Sequence, residues 1–105
     1  MIGNLSILKL SSAMARHAAH THGVIGDNIS RVDMPGATAH RVESFARALD
    51  ALKGGEALNT HSTDQPISVS REMSQMATNA GRHGTAVTIW SKTLELVRLA
   101  GAAPR

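Results

Sequence analysis

The sequence has no cysteine and no tyrosine, and Phe45 and Trp90 are its only aromatic residues. Without cysteine there are no disulfides and no cysteine-based zinc site, although the compartment stays open. The chain has 105 residues, of which sixteen are alanine. That length suits one small domain spanning 1–105, but alanine buries little area, so a private core would be thin. Such a chain completes its core with other subunits or settles for a marginal hairpin; the first is the expectation here. No run approaches 18 apolar residues, so no transmembrane helix and no direct membrane insertion are expected. Ala13-Met14-Ala15 imitates a signal-peptidase site, but the preceding stretch lacks a positive start and is interrupted by Lys9, so no cleaved signal is expected. Concentrated charge is also missing. The formal net charge is +3, and the charged residues are spread almost evenly, six basic and four acidic in 1–53 against five and four in 54–105. An even spread does not mark a nucleic-acid partner. No Ser-His-Asp set, phosphate loop or usefully spaced carboxylate pair is present, so no catalytic residues, no cofactor and no enzymatic activity are expected.

The strongest positive signal runs from Val69 to Gly101. Val69, Met73, Met76, Ala80, His83, Val87, Trp90, Leu94, Val97 and Gly101 follow in unbroken steps of four and three. That rhythm keeps one narrow seam of a helix facing a partner, as in a coiled coil. Ala77, Ile89, Leu96 and Leu99 widen the seam toward its end, which predicts contact with more than one neighbour. A first long helix is predicted over 5–32, with the same rhythm in smaller residues: Leu5, Leu8, Ser12, Ala15, Ala19, His22, Gly26 and Ile29. Ala18, Ile25 and Val32 form a second row, spaced by seven. Each helix contains two glycines three apart, Gly23 with Gly26 and Gly81 with Gly84. They mark either close approach of another backbone or a weak point, since glycine costs roughly 1 kcal/mol of helix propensity against alanine.

Between the helices, 33–40 reads as a turn in which Pro35 and Gly36 suit the centre of a type II turn. A short helix is predicted over 41–53 from Val42, Phe45, Leu49 and Leu52. Polar residues 54–66 read as a flexible loop, and Ser68 as the N-cap of the last helix, 68–101. No strand is expected. The predicted class is all-α: two long antiparallel helices joined by a turn, a short helix and a loop, with no β-domain, their seams burying Ala and Ser against Met, Val, Leu and Trp.

Two stretches carry a family likeness. Asp27-Asn28-Ile29-Ser30-Arg31-Val32-Asp33-Met34-Pro35-Gly36 resembles the N-terminal signature of bacterial flagellar rod and hook proteins, roughly A-N-N-I-A-N-x-x-T-P-G-Y, with Asn28, Ile29, Pro35 and Gly36 matching. Arg31, Met34 and Ala37 depart from it. Arg71-Glu72-Met73, Met76-Ala77, Asn79 and Arg82, continuing through Ser91-Lys92 and Leu94 to Leu99, resemble the C-terminal signature of the proximal rod subunit, with His83 where that family has tyrosine. The likeness covers 14–49 and 66–101. It implies a structural protein of the basal body, exported unfolded by the flagellar type III apparatus without a cleaved signal, which packs its terminal helices into the wall of the periplasmic rod and serves motility. The implied partners are other copies of itself, other rod subunits, and membrane-ring and export-apparatus adaptor proteins at the rod base. On the combined reading, subunit contacts are expected at Ile25, Ile29, Val32, Pro35, Gly36, Met73, Met76, Ala80, His83, Val87, Trp90, Leu94 and Val97. The alternatives are a small basic helical nucleic-acid-binding protein and a free-standing coiled-coil adaptor.

The remaining polar residues have plainer readings. His17, His20 and His22 lack a carboxylate three or four residues away, so they read as a solvated face rather than a metal site, one whose protonation would add charge to the helix. His83 reads as an interfacial ring bonded to a backbone carbonyl. Glu72 and Asn79 stand seven apart, with Arg71, Arg82 and Lys92 beside the seam, as candidates for pairs between subunits.

Overall fold

A computed structural model describes residues 2–53 and 59–101. Helix α1 spans Ile2–Ser30, strand β1 Thr38–Val42, helix α2 Phe45–Lys53, strand β2 Thr60–Pro66 and helix α3 Val69–Gly101. The principal extents are 66 × 28 × 15 Å. At 1.5 Å per residue, the 33 residues of α3 run for about 50 Å. The two long helices lie antiparallel, and the small strand-helix-strand unit packs on α1 at the end where the chain turns.

The local chemistry explains the boundaries. Arg31 N and Val32 N bond back three residues to Asn28 and Ile29, tightening the end of α1. Pro35 disfavours helix at Met34. Gly36 takes φ +75°, and Ala37 N donates to Met34 O at 3.1 Å, which together make the type II turn that Pro35-Gly36 favours. Ser44 accepts from Arg47 N at the start of α2. Ser68 accepts from Arg71 N at 3.3 Å, capping α3.

The all-α expectation is corrected. β1 and β2 form a two-stranded antiparallel sheet, with His40 opposite Ser62, Arg41 opposite His61 and Val42 opposite Thr60. The turn predicted over 33–40 therefore runs into a strand, and the loop predicted over 54–66 becomes β2 from Thr60; residues 54–58 lie outside the described residues. Helix α2 begins at Phe45 rather than at 41, because Arg41 and Val42 belong to β1. The sheet escapes the sequence pattern because β2 is exposed along almost all its length and shows no inside-outside alternation. Contacts from elsewhere hold it instead. Asn28 on α1 lies along the outer edge of β1, accepting from His40 N at 2.8 Å and donating to His40 O at 2.9 Å. A bulge separates Thr38 from His40 in the pairing, and there the Thr63 hydroxyl donates to Ala39 O at 2.7 Å.

The helix-helix seam is also placed differently from expectation. The buried residues of α3 are Glu72, Asn79, Ala86 and Thr93, each seven from the next. Ser11, Ala18 and Ile25, again seven apart, are buried on α1. The contact therefore uses the row beside the one the apolar rhythm selects. Small side chains let two helices approach closely, and the two larger polar ones on α3 find partners across the gap. Among the described residues, the buried apolar set is Ala13, Ala18, Ile25, Ala39, Ala48 and Ala86. Only Ile25 in that set is bulky.

Candidate assembly interface

The hairpin is fastened by a buried polar cluster. Glu72 is wholly buried. Arg41, from β1, grips it with both terminal nitrogens, Nη1 to Oε1 at 2.9 Å and Nη2 to Oε2 at 2.6 Å. Asn28 donates to Oε1 at 2.7 Å. Arg31 completes the set by donating to Asn28 Oδ1 at 2.8 Å, to Thr38 O at 3.1 Å and to Asp27 at 2.9 Å. One carboxylate thereby ties α3 to both α1 and β1. A bidentate guanidinium-carboxylate pair fixes orientation as well as distance. A second fastening lies two turns along, where Asn79 Nδ2 donates to Ala18 O at 2.7 Å.

The hydrogen bonds from Arg41 hold the Glu72 carboxyl below the usual carboxylate range; burial opposes this, and the Asn28 contact and the nearby positive charges assist it. The same pairing raises Arg41 above its ordinary value. A depressed carboxyl stabilises the fold fully above its unfolded-state pKa, and that contribution is lost as pH falls through the lower folded value. Acid titration of the helical circular-dichroism signal is therefore expected to show unfolding below the ordinary carboxylate range. Glu72→Gln should flatten that acid limb and lower neutral-pH stability, though by less than loss of Arg41 would, because the Arg41 side chain is 22% exposed and its charge can reach water; an unchanged acid limb would contradict the assignment.

The positions nominated for subunit contact are mostly uncovered in the single chain. Met73 is 61% exposed, Val87 43% and Trp90 41%. Ala80 and His83 are also exposed, while Met76, Leu94 and Val97 are half-buried. On α1 and the turn, Ile25 is buried against the chain's own interior, Ile29 and Val32 are half-buried, and Pro35 and Gly36 are exposed. Leu96 and Leu99 add 57% and 67% exposure farther along α3. Two shallow grooves follow the line between the long helices. One, about 370 Å³, is lined by Ala18, Ala19, His22, Asn79, Ala80 and His83. The other, about 160 Å³, is lined by Ser11, Ser12, Ala15, Val87 and Trp90. Beyond their own helical turns, Gly23, Gly26, Gly81 and Gly84 have no atom within 4 Å of where a side chain would begin. Among the described residues, no other backbone therefore makes the close approach considered for them.

Several polar readings change. His17 is not solvated: it is buried, donates to Glu43 O at 2.7 Å and meets the Phe45 ring edge-on at 5.6 Å. His20 Nε2 and the Thr60 hydroxyl share a bond of 2.8 Å, so both rings brace the small unit against α1. His22 is exposed. His83 is exposed and lines the larger groove. No His, Asp or Glu cluster with metal-binding geometry occurs among the described residues. Glu72 and Asn79, considered for contacts between subunits, serve the chain's own hairpin. Lys92 lies 3.8 Å from Glu95 on the surface of α3, a pair worth under about 1 kcal/mol. Arg41 was missed as a functional residue. Its partner lies 31 positions away, and no spacing rule joins a strand to a distant helix. The step from Glu72 to Asn79 was the available signal, because extending it reaches Ala86 and Thr93.

No family profile and no curated protein matches the chain.

Proposed function

We propose that this chain is a structural subunit of the bacterial flagellar basal-body rod, of the proximal type, assembling through α1 and α3 after export by the flagellar type III apparatus. The observation that carries the reading is the division of labour on α3. The chain's own hairpin uses Glu72, Asn79, Ala86 and Thr93, while Met73, Val87, Trp90, Leu96 and Leu99 face outward. Exposed bulky side chains on more than one face of a helix suit contact with several other helices. The resemblance adds support, because Asn28 from the N-terminal signature and Glu72 from the C-terminal one touch at 2.7 Å, so the two stretches that carry the likeness form one unit. Other copies, neighbouring rod subunits and the adaptor proteins at the rod base are the partners on this reading, and it needs no catalytic step.

The test is to isolate hook-basal bodies from cells producing the full chain with a small epitope tag, alongside cells lacking the gene. The chain is expected in the purified basal bodies, and cells lacking it are expected to build no rod and not to swim. Absence from basal bodies, together with normal swimming of the deletion, would overturn the reading in favour of a free adaptor or a nucleic-acid binder.

A further inference from the structure

The row that α3 buries against α1 repeats without interruption, Glu72, Asn79, Ala86 and Thr93, each seven residues on, and the sequence continues it to Ala100, which is exposed in the present alignment. Beyond Glu72 every member is small or medium-sized, so shape alone distinguishes poorly between one alignment of the helices and the next. Sliding α3 by seven residues is a shift of about 10.5 Å. It would bring Asn79 to Arg41 and Asn28, Ala86 to the Ala18 carbonyl, Thr93 to the present place of Ala86, and Ala100 to that of Thr93. The direction matters. Sliding this way frees seven residues of slack between β2 and the contact. Sliding the other way would pull Pro66 and the rest of β2 out of the sheet. What separates the two alignments is polar. Glu72 meets a guanidinium with both oxygens and an amide with one, whereas Asn79 in its place could offer Arg41 only one neutral oxygen.

We propose that the Glu72–Arg41–Asn28 contact is a register lock, holding α3 out of a second alignment on α1 displaced by one heptad. Polar groups at single seam positions are known to set register in paired helices, and a buried ion pair retained for such a purpose is its best-attested use. The lock lies within one chain and does not rest on the proposed rod function.

The chain has no cysteine, so introduced pairs report alignment directly. Ala19 and Ala80 line one groove, and Val87 lies seven residues beyond Ala80. In the otherwise unaltered chain, Ala19→Cys with Ala80→Cys should form an intramolecular link, and Ala19→Cys with Val87→Cys should not. Moving the carboxylate by one heptad, with Glu72→Ala and Asn79→Glu together, should reverse that preference by at least tenfold in yield, as read by mass and gel mobility of the purified full chain at high dilution. Persistence of the original pairing in the transplanted background overturns the proposal. So do equal yields of the two links in the unaltered background, because nothing would then be holding one alignment.

Discussion

Arg41→Ala is expected to leave the chain largely unfolded in dilute solution at neutral pH. The substitution strips both strong bonds from a carboxylate that has no exposure to water. Removing one partner of a buried pair costs about 3–5 kcal/mol, because the other charge stays behind. A small domain has only about 5–15 kcal/mol in all, and this one, with Ile25 as its single bulky fully buried aliphatic among the described residues, belongs at the lower end. The charge explanation makes a second demand. Adding Glu72→Gln to Arg41→Ala removes the stranded charge while keeping an acceptor for Asn28, so it should recover more than half of the loss. Urea titration followed by circular dichroism reads both variants. A shift under about 1 kcal/mol for Arg41→Ala, the range of an exposed ion pair, would show that the cluster does not hold the hairpin.

On the proposed rod function, Trp90→Ala should abolish swimming while the chain is still made and exported. Trp90 borders a groove with Ser11, Ser12, Ala15 and Val87, yet 41% of it remains exposed. Tryptophan is enriched among the residues that anchor interfaces, and truncating such an anchor costs about 2–4 kcal/mol of association, roughly 30-fold or more. In the proposed tube the same contact would recur at every subunit, so the deficit would repeat along the wall. The change to the single chain should be smaller than the change to assembly, because much of the ring is already outside the hairpin contact. Soft-agar swimming and immunoblots of cell and periplasmic fractions separate failure of assembly from failure of production. Normal swimming would remove Trp90 from the interface.

The two long helices and the proline-glycine turn were legible because their causes are local: a three-four rhythm sustained over many turns, and Pro35 followed by Gly36. The sheet was not. Thr38–Val42 and Thr60–Pro66 have little apolar alternation, and they are held by side-chain bonds from Asn28 in α1, Arg31 just after it and Thr63 in β2. The seam was misplaced by one row for a related reason. Ranking positions by apolar bulk selects Met73, Val87 and Trp90, while a close helix pair prefers Ala86 and Thr93 and accepts Glu72 wherever Arg41 can reach it. Arg41 reads as a surface charge until the strand that carries it is known.

The fastenings between α1 and α3 are unevenly distributed. The Glu72 cluster and the Asn79 bond both lie toward the sheet; from Ala18 back toward the start of α1, no side-chain hydrogen bond joins the two helices among the described residues. The molecule is built like a clothes peg, sprung at one end and merely touching at the other. Amide protons of Ser11 and Thr93 should thus exchange with solvent sooner than those of Asn28 and Glu72, and the jaws can part while the spring stays set.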